Sequence, residues 1–442
     1  MAVSYVSTRG GSPAVGLSAA IAAGLAADGG LYVPAHFLRA PLDALAGAGD
    51  LADTASALLS PFFSGDPLAA DLPAIARAAL DFPVPLRALR GDDSAWLLEL
   101  FHGPTAAFKD VGARFLAEVL ARLPDAAPLR TVLVATSGDT GAAVAAAFHR
   151  RPGFRVVILY PDGRVSPRQA HQLGAFGDNV LALRVQGSFD DCQALVKQAF
   201  SDVGLRARAP LLSANSISLG RFLPQMGYYT LAAFAQQRAG GPPLNFIVPT
   251  GNLGNACAAL MAKSMGVPIG TVALACNANR TLPDFLAGAD YTPRASVATL
   301  ANAMDVGAPS NIERLRWLYP DAVALRAAVP AASFDDAQIR GQIVRAEREH
   351  GVAVCPHTAC GLAMLARLRE RGDTRPWAIA ATAHPAKFDS IVEPLLQRAV
   401  PVPPALASLL ERPAQADPLA ADYPPLRRML LHPGRELTER FG

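Results

Sequence analysis

Residues 101–110 read Phe101-His102-Gly103-Pro104-Thr105-Ala106-Ala107-Phe108-Lys109-Asp110, and they sit between two stretches of opposite periodicity. Before them, Ser94-Ala95-Trp96-Leu97-Leu98-Glu99-Leu100 has the short apolar run of a strand. After them, Val111 to Leu123 has the spacing of an amphipathic helix. The unit is strand, tight turn, helix, with one lysine in an apolar turn. A surface lysine keeps a high pKa; one flanked by Phe108 and by Ala106-Ala107 is a candidate for desolvation, which favours the neutral, nucleophilic amine. The same residues also fit a lysine at a helix start whose stem packs on apolar neighbours.

The pattern repeats along the chain. Thr131 to Ala135, Arg155 to Tyr160, Leu181 to Val185, Leu211-Leu212, Leu244 to Pro249, Gly270 to Ala275 and Trp377 to Thr382 read as strands. Gly141 to His149, a segment starting near Pro167, and Ala256 to Met265 read as helices between them. Strands alternating with helices predict an α/β protein with parallel sheets covered on both faces. Residues 1–90 mix Ala/Leu helical periodicity with breaks such as Asp28-Gly29-Gly30 and are expected to form an N-terminal domain of helical character. Residues 91–400 are expected to hold the catalytic region, with a small α/β subdomain at about 110–230 and a large one from the remainder. Residues 401–442, rich in Pro and Leu, are expected to wrap the surface as a C-terminal extension.

Composition narrows the function. At 442 residues, 51% of them hydrophobic and 17% charged, the chain exceeds one compact core and is not disordered. A net charge of +3 gives no electrostatic reason for a nucleic-acid partner. Cys192, Cys257, Cys276, Cys355 and Cys360 are scattered, with no CxxC pair, so neither a disulfide scaffold nor a zinc site is expected. Cys355-Pro356-His357 has two metal-ligand types but lacks further ligands, and no metal is expected. No signal-like start and no apolar span of membrane length occur, which predicts a cytoplasmic protein without membrane contact.

Four further segments carry candidate chemistry. In Thr136-Ser137-Gly138-Asp139-Thr140-Gly141, small residues and hydroxyls at a strand-to-helix turn would expose backbone N–H groups, Ser137 and Thr140 to an anion; the same residues suit a capped turn. Pro249-Thr250-Gly251-Asn252-Leu253-Gly254-Asn255 is a second such turn, whose glycines admit a phosphate close to the backbone. It matches neither a P-loop nor a dinucleotide fingerprint, so a single phosphate on a small cofactor suits it, and a tight connection without ligand is the other reading. Asn215-Ser216-Ile217-Ser218-Leu219-Gly220-Arg221 offers an amide, hydroxyls and a guanidinium to a phosphorylated or carboxylated substrate, or a structural ion pair. Thr382-Ala383-His384-Pro385-Ala386-Lys387 follows the last core strand, where open sheets bind ligands. His384 there reads as a packed histidine, and Lys387 competes with Lys109 as the reactive lysine. A lysine amine, one phosphate site and no metal together suit the Schiff-base chemistry of pyridoxal phosphate.

In this order and spacing the segments resemble the threonine synthases of the longer, bacterial and fungal type. The resemblance runs from Tyr5-Val6-Ser7-Thr8-Arg9-Gly10 and 24–34 through 102–110, 136–141, 215–221 and 249–255. It continues at Ala303-Met304-Asp305-Val306, 309–315, 355–361 and 382–388, nearly the whole chain. It implies a fold type II pyridoxal-phosphate enzyme, similar to the tryptophan synthase β chain, with the cofactor between two open parallel-sheet α/β domains. It further implies that Lys109 is the imine lysine and that Gly251, Asn252, Leu253, Gly254 and Asn255 hold the cofactor phosphate. Thr382 would face the pyridine nitrogen as a neutral hydroxyl. Ser137, Asp139, Thr140, Asn215, Ser216 and Arg221 would meet the substrate. The implied reaction takes O-phospho-L-homoserine and water to L-threonine and phosphate, in a monomer or homodimer. The alternatives are a phospho-lyase releasing 2-oxobutyrate and a non-catalytic metabolite-binding homologue. Two positions depart from expectation. Related enzymes often carry Asn at the place of Asp139, where an ionised carboxylate would repel the cofactor's phenolic oxygen; this requires Asp139 to be protonated, turned to the substrate ammonium, or structural. Cys360 stands where threonine is common.

Overall fold

The computed structural model describes residues 2–123 and 129–431. Thirteen strands occur among them: β1 (Tyr5–Ser7), β2 (Tyr32–Pro34), β3 (Leu86–Leu89), β4 (Asp92–Glu99), β5 (Arg130–Ala135), β6 (Phe154–Pro161), β7 (Val180–Gln186), β8 (Leu211–Ser213), β9 (Leu244–Pro249), β10 (Ile269–Cys276), β11 (Ala331–Ser333), β12 (Trp377–Ala381) and β13 (Asp417–Ala420). They form two open sheets and one small antiparallel pair, β1–β2.

The larger sheet runs β11-β10-β9-β12-β4-β3, parallel except for β3, which lies antiparallel to β4. The smaller runs β13-β7-β6-β5-β8, all parallel. Every residue of β6 and β9 is buried, which is why these strands read as apolar runs interrupted only by Arg155 and Asn245: helices cover both faces of a parallel sheet. The chain leaves the larger sheet through the helix Lys109–Arg122, builds β5 to β8, and returns through the helix Gln225–Arg238 to β9.

Two regions differ from the sequence reading. The first 90 residues hold the β1–β2 pair as well as short helices, because Tyr5 and Pro34 pair across a returning loop. The C-terminal extension adds more than a wrap. β13 joins the smaller sheet beside β7, and the helix Tyr423–Leu431 buries Leu426 and Leu430 against the same unit. The remaining extension residues, 432–442, lie outside the described part. No helix among the described residues is long and apolar enough to cross a membrane.

Candidate active site

The carboxyl ends of β4, β5, β9 and β12 converge, and each delivers one of the segments singled out above. After β4, the turn 101–108 is pinned by Asp110, whose carboxylate accepts from the Thr105 N–H at 2.8 Å and its hydroxyl at 2.6 Å. A Cβ on Gly103 would stand 2.6 Å from Asp110 Oδ2, so this turn closes only over glycine. The loop is also stitched to the segment after β12. Phe108 N–H donates to Thr382 O at 2.8 Å, His384 N–H donates to Ala106 O at 3.0 Å, and Ala107 bridges Ala383. Ala106 is held at φ 55°, a left-handed conformation costly for a residue with a Cβ.

Lys109 therefore opens its helix at a fixed place, with its Nζ 4.6 Å from the Phe108 ring centroid. Among the described residues its amine has no hydrogen-bond acceptor. Burial first and the Arg221 guanidinium second lower its pKa to about 7, with Asp139 pulling the other way. This is the desolvated lysine expected from the sequence.

Two adjoining cavities meet at Lys109. The smaller, about 60 Å³, is lined by Lys109, Arg221, His357, Thr382 and every residue from Pro249 to Asn255. The larger, about 780 Å³, is lined by Lys109, Asp139, Ser137, Thr140, Asn215 and Ser216. All thirteen residues singled out thus line one cavity or the other. Arg221 lines only the smaller cavity, Asn215 only the larger, and Ser216 both. Arg221 is buried, its Nη1 donates to Ala214 O at 2.6 Å, its Nε has no partner, and burial lowers its pKa to about 10.

The turn after β9 is a preformed cradle. Gly251 passes so close to Met304 that a Cβ would stand 2.7 Å from its Cα. Leu253 adopts φ 63°, which turns the chain into the helix Gly254–Ser264 and aims that helix's N–H groups into the smaller cavity. Asn252 ties the turn down: its Nδ2 donates to Ser216 Oγ at 2.7 Å and its Oδ1 accepts from Ser310 N–H. Asn255 Oδ1 accepts from the hydroxyls of Tyr228 and Tyr229, leaving its Nδ2 buried without a partner. An unpaired amide N–H, a glycine-only approach and a helix N-terminus fit one phosphate group, and a neutral lysine beside them fits an aldehyde. These residues suit pyridoxal phosphate.

Asp139 answers its own puzzle. Burial raises the pKa of its carboxyl, but Lys387 and Gln169 outweigh this and hold it below the usual range, so it is ionised. Its Oδ1 accepts from Lys387 Nζ at 2.8 Å and Gln169 Nε2 at 2.9 Å. Lys387 spends a further donor on Thr105 O at 2.7 Å, which removes it from competition with Lys109. His384 is a packed cap, as its sequence context suggested: its Nδ1 accepts from Ala386 N–H at 3.2 Å. Cys360 is a buried thiol in the apolar core.

Sequence reasoning missed His357, which it weighed only as a metal ligand. Its Nε2 accepts from Ala303 N–H at 3.1 Å, which places the ring proton on Nδ1, and that atom is buried without a partner beside the smaller cavity. Burial lowers its pKa to about 4, helped by Lys109 and Lys387 and opposed by Asp139, so it is a neutral donor. Lys387 was read only as a rival to Lys109, and Gln169 and the Tyr228–Tyr229 pair were missed. Each acts through a partner 26 or more residues away, a distance that no local motif spans.

Comparison with known proteins agrees with this geometry. Residues 80–385 match the pyridoxal-phosphate dependent enzyme family, so the chain is a fold type II enzyme that uses pyridoxal phosphate. Residues 4–80 match the threonine synthase N terminus, and 358–429 the threonine synthase C-terminal region. The chain is 40% identical to threonine synthase of Serratia marcescens, with 94% of this chain and 96% of the relative covered. It is 38% identical to that of Escherichia coli strain K12, with 95% and 97% covered. The crystal structure of the Escherichia coli threonine synthase superposes with a TM-score of 0.89 at 36% identity, covering 97% of this chain and 99% of that one. A threonine synthase from Brucella melitensis with pyridoxal phosphate bound gives 0.88 at 34%, covering 98% and 100%. The chain belongs to the threonine synthase family.

Proposed function

We propose that this chain converts O-phospho-L-homoserine and water to L-threonine and phosphate, with Lys109 as its catalytic base. The observation that carries the residue assignment is the unpartnered Lys109 amine, its pKa near 7, where the two cavities meet. When bound, pyridoxal phosphate supplies the electron sink that lets protons leave the carbons of an amino acid.

The chain's own residues do the rest. Lys109 is neutral for a useful fraction of the time near pH 7, so it can accept the proton from Cα of the substrate and return it later. Proton removal at Cβ lets phosphate leave from Cγ; a proton then returns to Cγ, and water adds to Cβ. One amine at the junction of both cavities serves several of these transfers. Arg221 keeps Lys109 from holding its proton too tightly. Residues Gly251 to Asn255 would hold the cofactor phosphate, and the Thr382 hydroxyl would serve its ring nitrogen without adding a charge. Ser137, Thr140, Asn215 and Ser216 line the larger cavity and receive the substrate's carboxylate and phosphate. Asp139 is assigned to holding Lys387 and Gln169 rather than to substrate, because its charge is already cancelled.

All these residues come from one chain, so a monomer or a homodimer would carry a complete site in each copy. We place the reaction in the cytoplasm, in keeping with five cysteines that are all free thiols.

The test is product analysis by NMR with purified protein, pyridoxal phosphate and O-phospho-L-homoserine. Threonine and phosphate in equal amounts, abolished by Lys109→Ala, is the expected result. Phosphate with 2-oxobutyrate would replace the proposal by the phospho-lyase reading. Turnover surviving in Lys109→Ala would refute the role given to that residue.

A further inference from the structure

The smaller cavity has a neutral hydrogen-bond donor that no contact described so far uses. His357 is the second residue of the helix Pro356–Glu370, 3% exposed, with its ring centroid 5.1 Å from that of Phe388. Its Nε2 accepts from Ala303 N–H at 3.1 Å, so the ring cannot take a second proton without losing that bond, and its one proton sits on Nδ1. That Nδ1–H is buried and has no partner among the described residues. Folded proteins rarely leave a buried donor unmade, and one in the wall of a ligand cavity points to an acceptor on the ligand.

Pyridoxal phosphate carries its aldehyde carbon opposite the ring nitrogen, with the phosphate arm on one side of that carbon and a phenolic oxygen on the other. With Lys109 at the aldehyde, Thr382 at the nitrogen and Gly251 to Asn255 at the phosphate, as proposed above, the oxygen is the polar group left without a donor. Asp139 is ionised and can only accept. Gln225 Nε2 donates to Arg221 O at 2.7 Å, and Ser216 is tied to Asn252 in the phosphate turn. His357 stands with Asp139 and Lys387: the three interact electrostatically, and Phe388, next to Lys387 in the chain, packs on the imidazole.

We propose that His357 donates its Nδ1–H to the phenolic oxygen of the bound cofactor, and so sets how tightly the Lys109 imine holds its proton. That oxygen is the internal acceptor for the imine proton. A donor from the protein draws charge away from it, weakens its hold, and lowers the pH at which the imine proton leaves. Arg221, Asp139 and Lys387 also act on this centre, but exchanging a neutral histidine for a neutral amide leaves their charges as they are.

The experiment is a pH titration of the holoenzyme, followed by the cofactor's absorbance, in His357→Gln and His357→Asn. Glutamine can put an amide oxygen where Nε2 stands, which keeps the Ala303 bond and loses the Nδ1 donor. Asparagine can put an amide N–H where Nδ1 stands and loses the Ala303 bond. The midpoint should rise by about one pH unit or more in His357→Gln and stay near that of the parent protein in His357→Asn. An unmoved midpoint in His357→Gln would overturn the proposal and leave the oxygen to the buried, unpartnered Nε of Arg221. Equal shifts in both variants, or a shift in His357→Asn alone, would also overturn it, because His357 would then act through packing or through Ala303. The unsubstituted protein gives a second reading. With its histidines labelled by the heavy nitrogen isotope, one ring N–H resonance should move downfield when pyridoxal phosphate is added to the cofactor-free chain, and no such movement would refute the contact. Neither reading depends on which product the enzyme releases, so a failure of the threonine assignment would leave both intact.

Discussion

Lys109 owes its chemistry to its surroundings. Its folded pKa near 7 lies below its ordinary 10.5, with burial the main cause and Arg221 the second. Between those two values the unfolded chain binds the extra proton and the folded chain does not, so stability of the cofactor-free protein is expected to rise with pH through that window. Thermal midpoints measured across it would check the sign. Reaction with added pyridoxal phosphate, followed by absorbance, should accelerate as pH rises through about 7. Arg221→Gln removes a positive charge that depresses the lysine's pKa, so the midpoint of that rate profile should move upward. A midpoint unchanged in Arg221→Gln would show that burial alone sets it.

At the scale of elements, the turns decide the site. Gly251→Ala would drive a Cβ to 2.7 Å from Met304, and relieving that overlap by a shift of the 249–255 turn costs about 1–3 kcal/mol. Cofactor affinity by equilibrium dialysis should fall about tenfold or more, with a smaller effect on the secondary structure seen by circular dichroism. The buried Asp139–Lys387 pair joins the helix after β5 to the segment after β12. Removing one charge leaves the other buried and alone, about 3–5 kcal/mol, so Asp139→Asn or Lys387→Met should each lower the denaturation free energy by that order. The double variant should lose less than the sum of the two, and strict additivity would mean that the pair is not coupled. This network also marks the limit of reading from sequence. The β4, β5, β9 and β12 turns were legible because each is a local run of apolar strand, small residues and helix start. That Lys387 reaches Thr105 and Asp139, or that two tyrosines grip Asn255, depends on packing between segments far apart in the chain. Strands of three or four residues such as β11 and β13 carry too few alternating positions to signal themselves.

For the whole molecule, the consequential feature is that the chain's last described segment completes the smaller sheet. β13 pairs with β7, and Leu419, Leu426 and Leu430 are buried in a cluster with Leu181, Leu183, Val185 and Leu195. Tyr423 and Arg427 both bond Asp202, at 2.8 and 2.7 Å, and so fix the closing helix. Each buried leucine stabilises by about 1.5–3 kcal/mol, so ending the chain at Gln415 should weaken the smaller sheet and leave β7 as a bare edge open to association. The larger sheet loses no strand. Hydrogen exchange should therefore show β5 to β8 losing protection while β9 and β12 keep theirs, with more self-association by light scattering. The two ligands should respond differently. The residues given to the cofactor hang on β4, β9 and β12, so its affinity should change little. Ser137 and Thr140 follow β5, so KM for O-phospho-L-homoserine should rise. Equal loss of protection in both sheets, with cofactor affinity falling in step, would instead show that the two sheets unfold as one unit.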